Sequence, residues 1–455
     1  MTGRKVLKIL LLSNLAIKLA GNQSLYNTLQ GYAQAGHEVY FLNIRKKEDY
    51  DYLPYNLPQN IKIYSFQYIP TKLRPFWVKT RDLFKKFEKL AYKFSTKNFY
   101  RDQNNSSFVF AYKPKGYIPA SSESKVNYLL DKVSWFMFQI LGLFQGYKII
   151  GREKINLIYG YEYHGAPVGW LLGKIFNLPV ITRYQGTFLK PVLEQKKGYL
   201  YPENILAMKL PVNLVVMGND GTKGDEVLKA LGVDSSKILF VKNGVNKNLY
   251  DPNFDKHSFK SRIGLSSSTK MLLTLSKLTY WKRVERVIKA LPKIVSVVKD
   301  VVLVIVGDGS EKRNLEKLSD YLEVKRYVRF IGAVPHNEVR SYLHASDIFL
   351  SLYDLSNLSN PLLEAMVCSK CIVTLSDGSI DGLIENSRTG MLIKPARISE
   401  ELPETIIKLL QDDQLRLSLG KAAMDFSKDN LQSWSERMAL EVNMVENLAD
   451  NFKQK

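Results

Sequence analysis

The sequence predicts an α/β chain with two doubly wound parallel sheets. Three observations support this: the length of 455 residues, the alternation of short apolar runs with amphipathic stretches, and a restart of that alternation in the second half. A chain about three times the common domain size is expected to divide into two cores. Continuous apolar runs separated by helices are typical of parallel strands covered on both faces.

Each predicted element follows from this alternation. In the first half the strands are predicted at 6–12, 39–44, 155–159, 180–182, 214–217 and 238–241, with the first long helix at 24–35. After a polar stretch at 243–270 the strands are predicted at 271–275, 301–306, 328–331, 348–352, 372–375 and 391–393, with helices at 283–297, 337–343 and 361–366. Two successive doubly wound sheets indicate two Rossmann-like domains that face each other across a cleft.

We predict three regions from this order of elements. An N-terminal domain covers 1–245, a C-terminal domain covers 246–425, and a C-terminal helix within 426–455 returns to the N-terminal domain. We expect ligands where the strands of the C-terminal domain end and helix N-termini converge.

The formal net charge of +21 is unusual for a globular protein, and much of it lies in one insertion. Residues 62–154 contain 18 Lys and Arg against 6 Asp and Glu, a balance of +12, with aromatic residues interleaved. Such a segment suits an anionic membrane surface or a nucleic acid, and it is equally typical of a solvated insertion. We expect no nucleic-acid partner, because the charge is local and no nucleic-acid-binding module is visible.

The remaining composition indicates a cytoplasmic protein, peripheral on the inner face of the membrane. Two cysteines, Cys368 and Cys371, exclude a disulfide scaffold, and without a second pair they indicate burial rather than a zinc site. The N-terminal apolar run lacks a signal-peptide cleavage site. The apolar stretch 133–150 is interrupted by polar and glycine residues, so it is a poor membrane-spanning segment.

Two lysines follow the first strand of the second half. Lys277 comes directly after the strand, and Lys282 lies five residues later. Two lysines at a strand exit can neutralise the charges of a diphosphate, although lysines at such positions are often simply solvated.

A helix start at Asn360 supplies a second possible anion site. Asn360 is predicted as the N-cap, with Pro361 at the first helical position. The N–H groups of Leu362 and Leu363 would then be free at the helix end. Glu364, in the same turn, has a carboxylate that can accept hydrogen bonds from two ribose hydroxyls; the alternative is a carboxylate that only interacts favourably with the helix dipole.

Other motifs exclude competing functions. The chain has no phosphate-binding loop of the P-loop type. The segment Gly307-Asp308-Gly309 lacks the third glycine of a dinucleotide fingerprint. Asp49 and Asp51 form an Asp-x-Asp pair, but they follow three basic residues away from any strand exit, so we predict no metal site.

Taken together, the motifs resemble glycosyltransferase family 4, a large retaining group with the GT-B fold. The resemblance runs from near residue 6 to near 435 and fades between 45 and 150. It is carried by Gly36-His37-Glu38-Val39, Asn243-Gly244-Val245, Ser276-Lys277-Leu278, Trp281-Lys282-Arg283, Val306-Gly307-Asp308-Gly309, Phe330-Ile331-Gly332-Ala333-Val334, Ala345-Ser346-Asp347, Pro361-Leu362-Leu363-Glu364-Ala365-Met366, Glu385-Asn386 and Gly390-Met391-Leu392-Ile393.

The resemblance implies a role for individual residues. Lys282 and Lys277 would contact the donor diphosphate, and Glu364 would hold the ribose. The backbone of Val334 would lie against the base. Gly21, before the first long helix, would match a glycine loop near the phosphates and the acceptor.

Two departures from the family pattern affect the sugar site. At the position where the family has a glutamate touching the transferred sugar, this chain has Ser356, and Asp354, Asn357 or Ser359 would have to replace it. The histidine usual near the middle strands is also displaced. We predict His164, beside Glu162, as a catalytic residue, with packing against a helix as the alternative.

The resulting prediction is a metal-independent, retaining hexosyltransferase that needs no cofactor besides its co-substrate. It would use a UDP-sugar or a GDP-sugar and a lipid-linked, cell-envelope or exopolysaccharide glycan as acceptor. Two alternatives stay open at this point: a non-catalytic sugar-nucleotide-binding or scaffold protein, suggested by Ser356, and a nucleic-acid-binding protein, suggested by the charge.

Overall fold

The computed structural model describes residues 6–15, 22–43, 57–65 and 125–453. Three features of the sequence lie outside these residues: Gly21, the Asp49 and Asp51 pair, and positions 66–124 of the basic and aromatic insertion. Within the described part, the chain forms two parallel sheets of seven and six strands, which confirms the predicted fold class.

The first sheet is built from residues of the first half of the chain. Its strand order is β3-β2-β1-β4-β5-β6-β7, and every neighbouring pair is parallel. The order reverses between β1 and β4, which is where a ligand crevice forms in such sheets. The strands are β1 (Lys8–Leu12), β2 (Glu38–Asn43), β3 (Ile61–Ser65), β4 (Leu157–Tyr161), β5 (Val180–Tyr184), β6 (Leu214–Gly218) and β7 (Ile238–Val241).

The second sheet repeats this arrangement with six strands. Its order is β10-β9-β8-β11-β12-β13, again parallel throughout, and the order reverses between β8 and β11. The strands are β8 (Lys270–Leu275), β9 (Val301–Val306), β10 (Val328–Gly332), β11 (Ile348–Ser351), β12 (Cys371–Leu375) and β13 (Met391–Ile393). Both Cys368 and Cys371 are buried free thiols, as predicted.

Helices cover both faces of each sheet, so each sheet contributes to two apolar cores. This explains why the strands are apolar throughout instead of alternating with polar residues. The helices are α1 (Gln23–Gln34), α2 (Lys125–Glu153), α3 (Glu162–Phe176), α4 (Leu189–Glu194), α5 (Pro202–Lys209), α6 (Gly224–Ala230), α7 (Lys256–Arg262), α8 (Glu285–Val297), α9 (Lys312–Tyr321), α10 (His336–Ala345), α11 (Asn360–Val367), α12 (Ile398–Gln411), α13 (Asp413–Asn430) and α14 (Trp434–Lys453).

Strand β3 and the 29-residue helix α2 are among the elements that the sequence analysis did not predict. The glycines in the apolar run of α2 obscured the helix, but they serve its packing: a Cβ on Gly146 would lie 2.5 Å from a methyl group of Leu172 in α3. No helix among the described residues is long and apolar enough to cross a membrane.

Helix α14 packs against the first domain through both apolar and ionic contacts. Met438 and Val445 belong to a core of the first sheet. Glu441, fully buried, pairs with Arg183 of β5 at 3.0 Å and with Arg437 of its own helix. Removing one partner from such a buried network leaves an uncompensated charge, so the network ties the end of the chain to the first sheet. The three domain bounds given above stay predictions, because the extent of a sheet does not fix where a folding unit ends.

Candidate active site

Side chains from the two domains meet around the start of α1. The amide oxygen of Gln23 accepts a hydrogen bond from Asn360 at 2.7 Å, and its nitrogen lies 3.0 Å from Nε2 of His336. The same nitrogen donates to Glu364 at 3.4 Å. Asn243, where the chain leaves the first domain, donates to Asn360 at 2.9 Å. These contacts close one side of a cleft between the sheets.

Glu364 belongs to α11 and contacts both Gln23 and His336. It is 3% exposed, and Nε2 of His336 lies 3.4 Å from its Oε1. Burial raises the pKa of the carboxyl group to about 8, while the hydrogen bond from Gln23 opposes this shift. A buried carboxyl group near a helix start, held by contacts from another domain, is typical of a binding site. Its role as ribose ligand stays a prediction.

The predicted geometry of the α11 start is wrong in two respects. The helix begins at Asn360 itself, so the N-cap is Ser359, and the Asn360 side chain contacts Gln23 instead of capping the helix. The N–H groups of Leu362 and Leu363 are not free, because both donate to the carbonyl oxygen of Ser359, at 3.0 and 3.2 Å. An anion can therefore use these groups only if the first turn opens. Their role in donor binding stays a prediction.

Lys282 is partly buried, whereas Lys277 is exposed. The Lys282 Nζ lies 3.4 Å from the carbonyl oxygen of Ser356 and 4.1 Å from the centre of the Tyr353 ring. Burial lowers the pKa of Lys282 to about 8, opposed by the negative charge of Asp220. A desolvated ammonium group binds phosphate oxygens more strongly than an exposed one. Val334 is half-buried and packs against the second domain's core.

Glu162 and His164 are not brought together, although both begin α3. Glu162 lies at the end of β4 with a left-handed backbone (φ 59°), and its Oε1 accepts a hydrogen bond from the Gln185 N–H at 2.8 Å. Burial raises the pKa of Glu162 to about 7. Strained backbone of this kind is frequent at functional sites.

His164 points away from the cleft into the packing between helices. It is 5% exposed, and its ring lies 4.2 Å from that of Tyr163 and 5.8 Å from that of Phe138 in α2. Burial lowers its pKa to about 3, so the imidazole is neutral at ordinary pH. These contacts support the packing interpretation of His164 over the catalytic one.

Two of the three side chains expected to replace the missing glutamate, Asp354 and Asn357, are engaged elsewhere, whereas the buried hydroxyl of Ser359 makes no hydrogen bond to another described residue. Asp354 pairs with Arg283 at 2.6 Å and with Arg286. The buried amide of Asn357 accepts a hydrogen bond from the N–H of Tyr353 and donates to Asp377, each at 2.9 Å. Both residues therefore stabilise their own loop.

Three cleft residues were missed by the sequence analysis: Gln23, His336 and Asp220. Each follows a predicted strand or begins a predicted helix, which is a usable signal for polar residues at the edge of a sheet. None stood out, because the partners of these side chains lie in the other domain or far along the chain. Among the described residues, no group of three or more His, Cys, Asp or Glu side chains could hold a metal ion.

Comparison with known proteins finds a match to a family model in the second half of the chain. Residues 253–426 match the family of glycosyl transferases group 1. A region of 275 residues is 26% identical to an uncharacterised glycosyltransferase of Methanocaldococcus jannaschii, covering 58% of this chain and 68% of that protein. The alignments of this chain with two further relatives cover 44% and 50% of the lengths of those proteins.

Two more comparisons concern a lipid-directed relative and a solved structure. The GDP-mannose-dependent monoacylated alpha-(1-6)-phosphatidylinositol monomannoside mannosyltransferase of Corynebacterium glutamicum is 26% identical over 175 residues, which are 37% of this chain and 45% of that one. The crystal structure of Anabaena HepE with UDP and glucose superimposes with a TM-score of 0.65, covering 96% of this chain and all of that one at 16% identity. The fold of this chain is therefore that of the GT-B glycosyltransferases.

Proposed function

We propose that this chain, whose residues 253–426 belong to the group 1 glycosyl transferases, transfers a hexose from a nucleotide-sugar donor to a glycan or lipid-linked acceptor. The observation that carries the proposal is the pair formed by Lys282 and Glu364. Lys282 follows β8 and Glu364 lies near the start of α11, both are desolvated, and each is close to a residue of the first domain. A cation and a carboxyl group so arranged match the diphosphate and the ribose of one nucleotide.

The donor is a UDP-sugar or a GDP-sugar held in one orientation. Glu364 binds the ribose hydroxyls, Lys282 and Lys277 bind the diphosphate, and the base lies beside the backbone of Val334. Opening of the first turn of α11 frees the Leu362 and Leu363 N–H groups for the phosphates.

The chemistry depends on the leaving diphosphate. Negative charge develops on its oxygens as the bond to the sugar breaks, and Lys282 stabilises that charge in a desolvated site. The acceptor attacks the face from which the diphosphate departs, so the configuration is retained. Glu162, with its pKa near neutrality, accepts the proton of the acceptor hydroxyl. The lysines supply the positive charge of this reaction, and we expect it to proceed without a metal ion.

An apolar stripe on α2 supports a membrane-bound acceptor. Phe136, Ile140, Phe144 and Tyr147 follow helical spacing, and each is between 48% and 58% exposed. Lys148 lies 4.1 Å over the ring of Phe144. Aromatic side chains beside basic residues bind the interface of anionic membranes, to which each basic residue contributes about 1 kcal/mol. We propose that this stripe and the basic segment before it hold the protein at the inner face of the membrane.

A donor screen followed by a transfer assay tests the function. A nucleotide that binds the folded protein raises its stability by RT ln(1 + [L]/Kd), so the melting temperature identifies the base. The selected donor is then incubated with lipid extracts, and the anomeric configuration of the product is read by NMR.

Lys282→Ala should lower the rate of transfer by about 10²–10³, whereas Lys293→Ala, which removes an exposed lysine paired with Glu404, should leave it unchanged. Binding of the donor without transfer to any lipid or glycan would favour the scaffold alternative raised by Ser356. Activity lost in EDTA and restored by a divalent ion would contradict the metal-independent mechanism.

A further inference from the structure

The loop after β6 brings a first-domain carboxylate to the second domain. A Cβ on Gly221 in this loop would lie 3.0 Å from Cβ of Ser379 and 3.3 Å from the backbone nitrogen of Leu358. Leu358 lies in the segment that follows β11, and Ser379 lies in the segment that follows β12. The loop of the first domain therefore lies directly against the second domain, with Asp220 beside the contact.

The Asp220 side chain is fixed in orientation. Its Oδ1 accepts hydrogen bonds from the hydroxyl of Thr222 and, at 3.1 Å, from the Thr222 N–H. The carboxylate packs against Gly186: a Cβ atom at position 186 would lie only 2.3 Å from Oδ2 of Asp220. Only glycine at position 186 leaves room for this carboxylate. Since Thr222 holds Oδ1 and Gly186 lies against Oδ2, the position of the whole carboxylate is fixed.

Asp220 faces the cation that we assign to the diphosphate. Its negative charge acts on Lys282, and its side chain lies near that of Ser356. The Lys282 Nζ in turn lies 3.4 Å from the Ser356 carbonyl oxygen. Asp220, Lys282 and Ser356 thus form one cluster, to which both domains contribute.

The neighbouring carboxylates of the second domain cannot take the place of Asp220. Asp354 is paired with two arginines. Asp377 accepts hydrogen bonds from Asn357 and Ser379. The negative charge beside Lys282 is therefore supplied by the first domain.

The direction in which the donor would lie suggests the role of this cluster. With the ribose at Glu364 and the diphosphate at Lys282, the transferred sugar extends past Lys282 toward Ser356. We propose that Asp220 binds hydroxyls of the transferred sugar and so selects which sugar the enzyme accepts. This inference rests on the proposed function. A carboxylate accepts hydrogen bonds from two adjacent hydroxyls, and the small Ser356 side chain leaves space for them.

The experiment separates binding of the sugar from binding of the nucleotide. The probes are UDP-glucose against UDP and GDP-mannose against GDP, titrated by calorimetry into the full chain. Asp220→Asn keeps an oxygen for Thr222 but removes the charge. We expect it to weaken binding of the preferred sugar nucleotide by about tenfold or more, with nucleotide affinity unchanged within about twofold.

A matched control and a second variant accompany this measurement. Asp225→Asn, at the start of α6, removes an acid paired with Lys229 at 3.4 Å and should change neither affinity. If Asp220→Asn does not fold, Asp220→Ser retains an oxygen for Thr222 and is measured instead.

Each outcome is decisive. Equal losses for nucleotide and sugar nucleotide would show that Asp220 only holds the two domains together, which overturns the proposal. So would an unchanged affinity for both. In either case transfer by the wild-type protein would leave the proposed function intact, whereas a wild-type protein that binds none of the four probes would overturn both.

Discussion

Replacing Glu364 by glutamine should stabilise the ligand-free protein and weaken nucleotide binding at the same time. Glutamine preserves the shape and one acceptor oxygen but cannot ionise. The native carboxyl group is 3% exposed, and burial raises its pKa from the ordinary 4.5 to about 8. The side chain is thus unfavourable for folding wherever the unfolded chain would ionise it.

The sign and the size follow from proton linkage. Below about pH 4.5 both states hold the proton, so the side chain costs nothing there. As the pH rises toward 8 the folded protein keeps a proton that the unfolded chain releases. Stability then falls by about 1.4 kcal/mol per pH unit, on the order of 3 kcal/mol by pH 7. Glu364→Gln should recover most of this difference.

Urea unfolding at about pH 5, 7 and 8.5 measures the effect on stability. We expect the two proteins to differ little at the lowest pH, with the variant gaining as the pH rises. Glu338→Gln, which alters an exposed carboxylate on α10, is the control and should show no such trend. Nucleotide affinity should fall by about tenfold or more, because each charge-assisted hydrogen bond contributes roughly 1.5–3 kcal/mol.

Two results would refute this reasoning. A stability difference that does not grow with pH would mean that burial does not hold the proton on Glu364. Wild-type nucleotide affinity in the variant would mean that Glu364 is not a ligand, whatever its pKa.

Four further predictions concern binding, catalysis, the membrane and the fold. Nucleotide affinity should peak near pH 8 and fall on both sides, because Glu364 must ionise and Lys282 must stay protonated, each with a pKa of about 8. In Glu364→Gln the fall on the acid side of the peak should disappear. A flat pH profile of the wild-type protein would contradict the assignment. In single-turnover assays Lys282→Ala should lower the rate by about 10²–10³, far more than Ser356→Ala, and equal losses would contradict the leaving-group mechanism. Phe144→Asp should weaken sedimentation with anionic vesicles, more so at high salt, while unchanged binding would exclude the α2 stripe as the contact surface. Glu441→Gln leaves two buried guanidinium groups without their counter-charge and should cost roughly 3–5 kcal/mol in the free energy of unfolding, whereas a loss below about 1 kcal/mol would show that the ion network does not hold α14.

The fold could be predicted from the sequence because its determinants are local. The apolar runs at 271–275 and 301–306 are long enough for strands and too short for helices, and the amphipathic stretch between them fits a crossover helix. The same logic located Lys282 after a strand and Glu364 in the first turn of a helix, since strand exits and helix starts collect at one edge of a parallel sheet. Helix α2 was missed because its apolar run is interrupted by glycines whose purpose is contact with another helix.

The sequence by itself determined two parallel α/β sheets, the strand exit that carries Lys282, the helix start that carries Glu364, and the burial of the cysteines. Only the tertiary structure decided which residues these side chains contact. The hydrogen bond from Gln23 to Glu364 joins residues 341 positions apart, and the cluster of Asp220 with Lys282 depends on how the domains face each other. It also decided that Leu362 and Leu363 donate to Ser359 and that His164 packs between helices. The periodicity of apolar residues indicates which face of a helix or strand is buried. It does not indicate which residue of the other domain a side chain will contact.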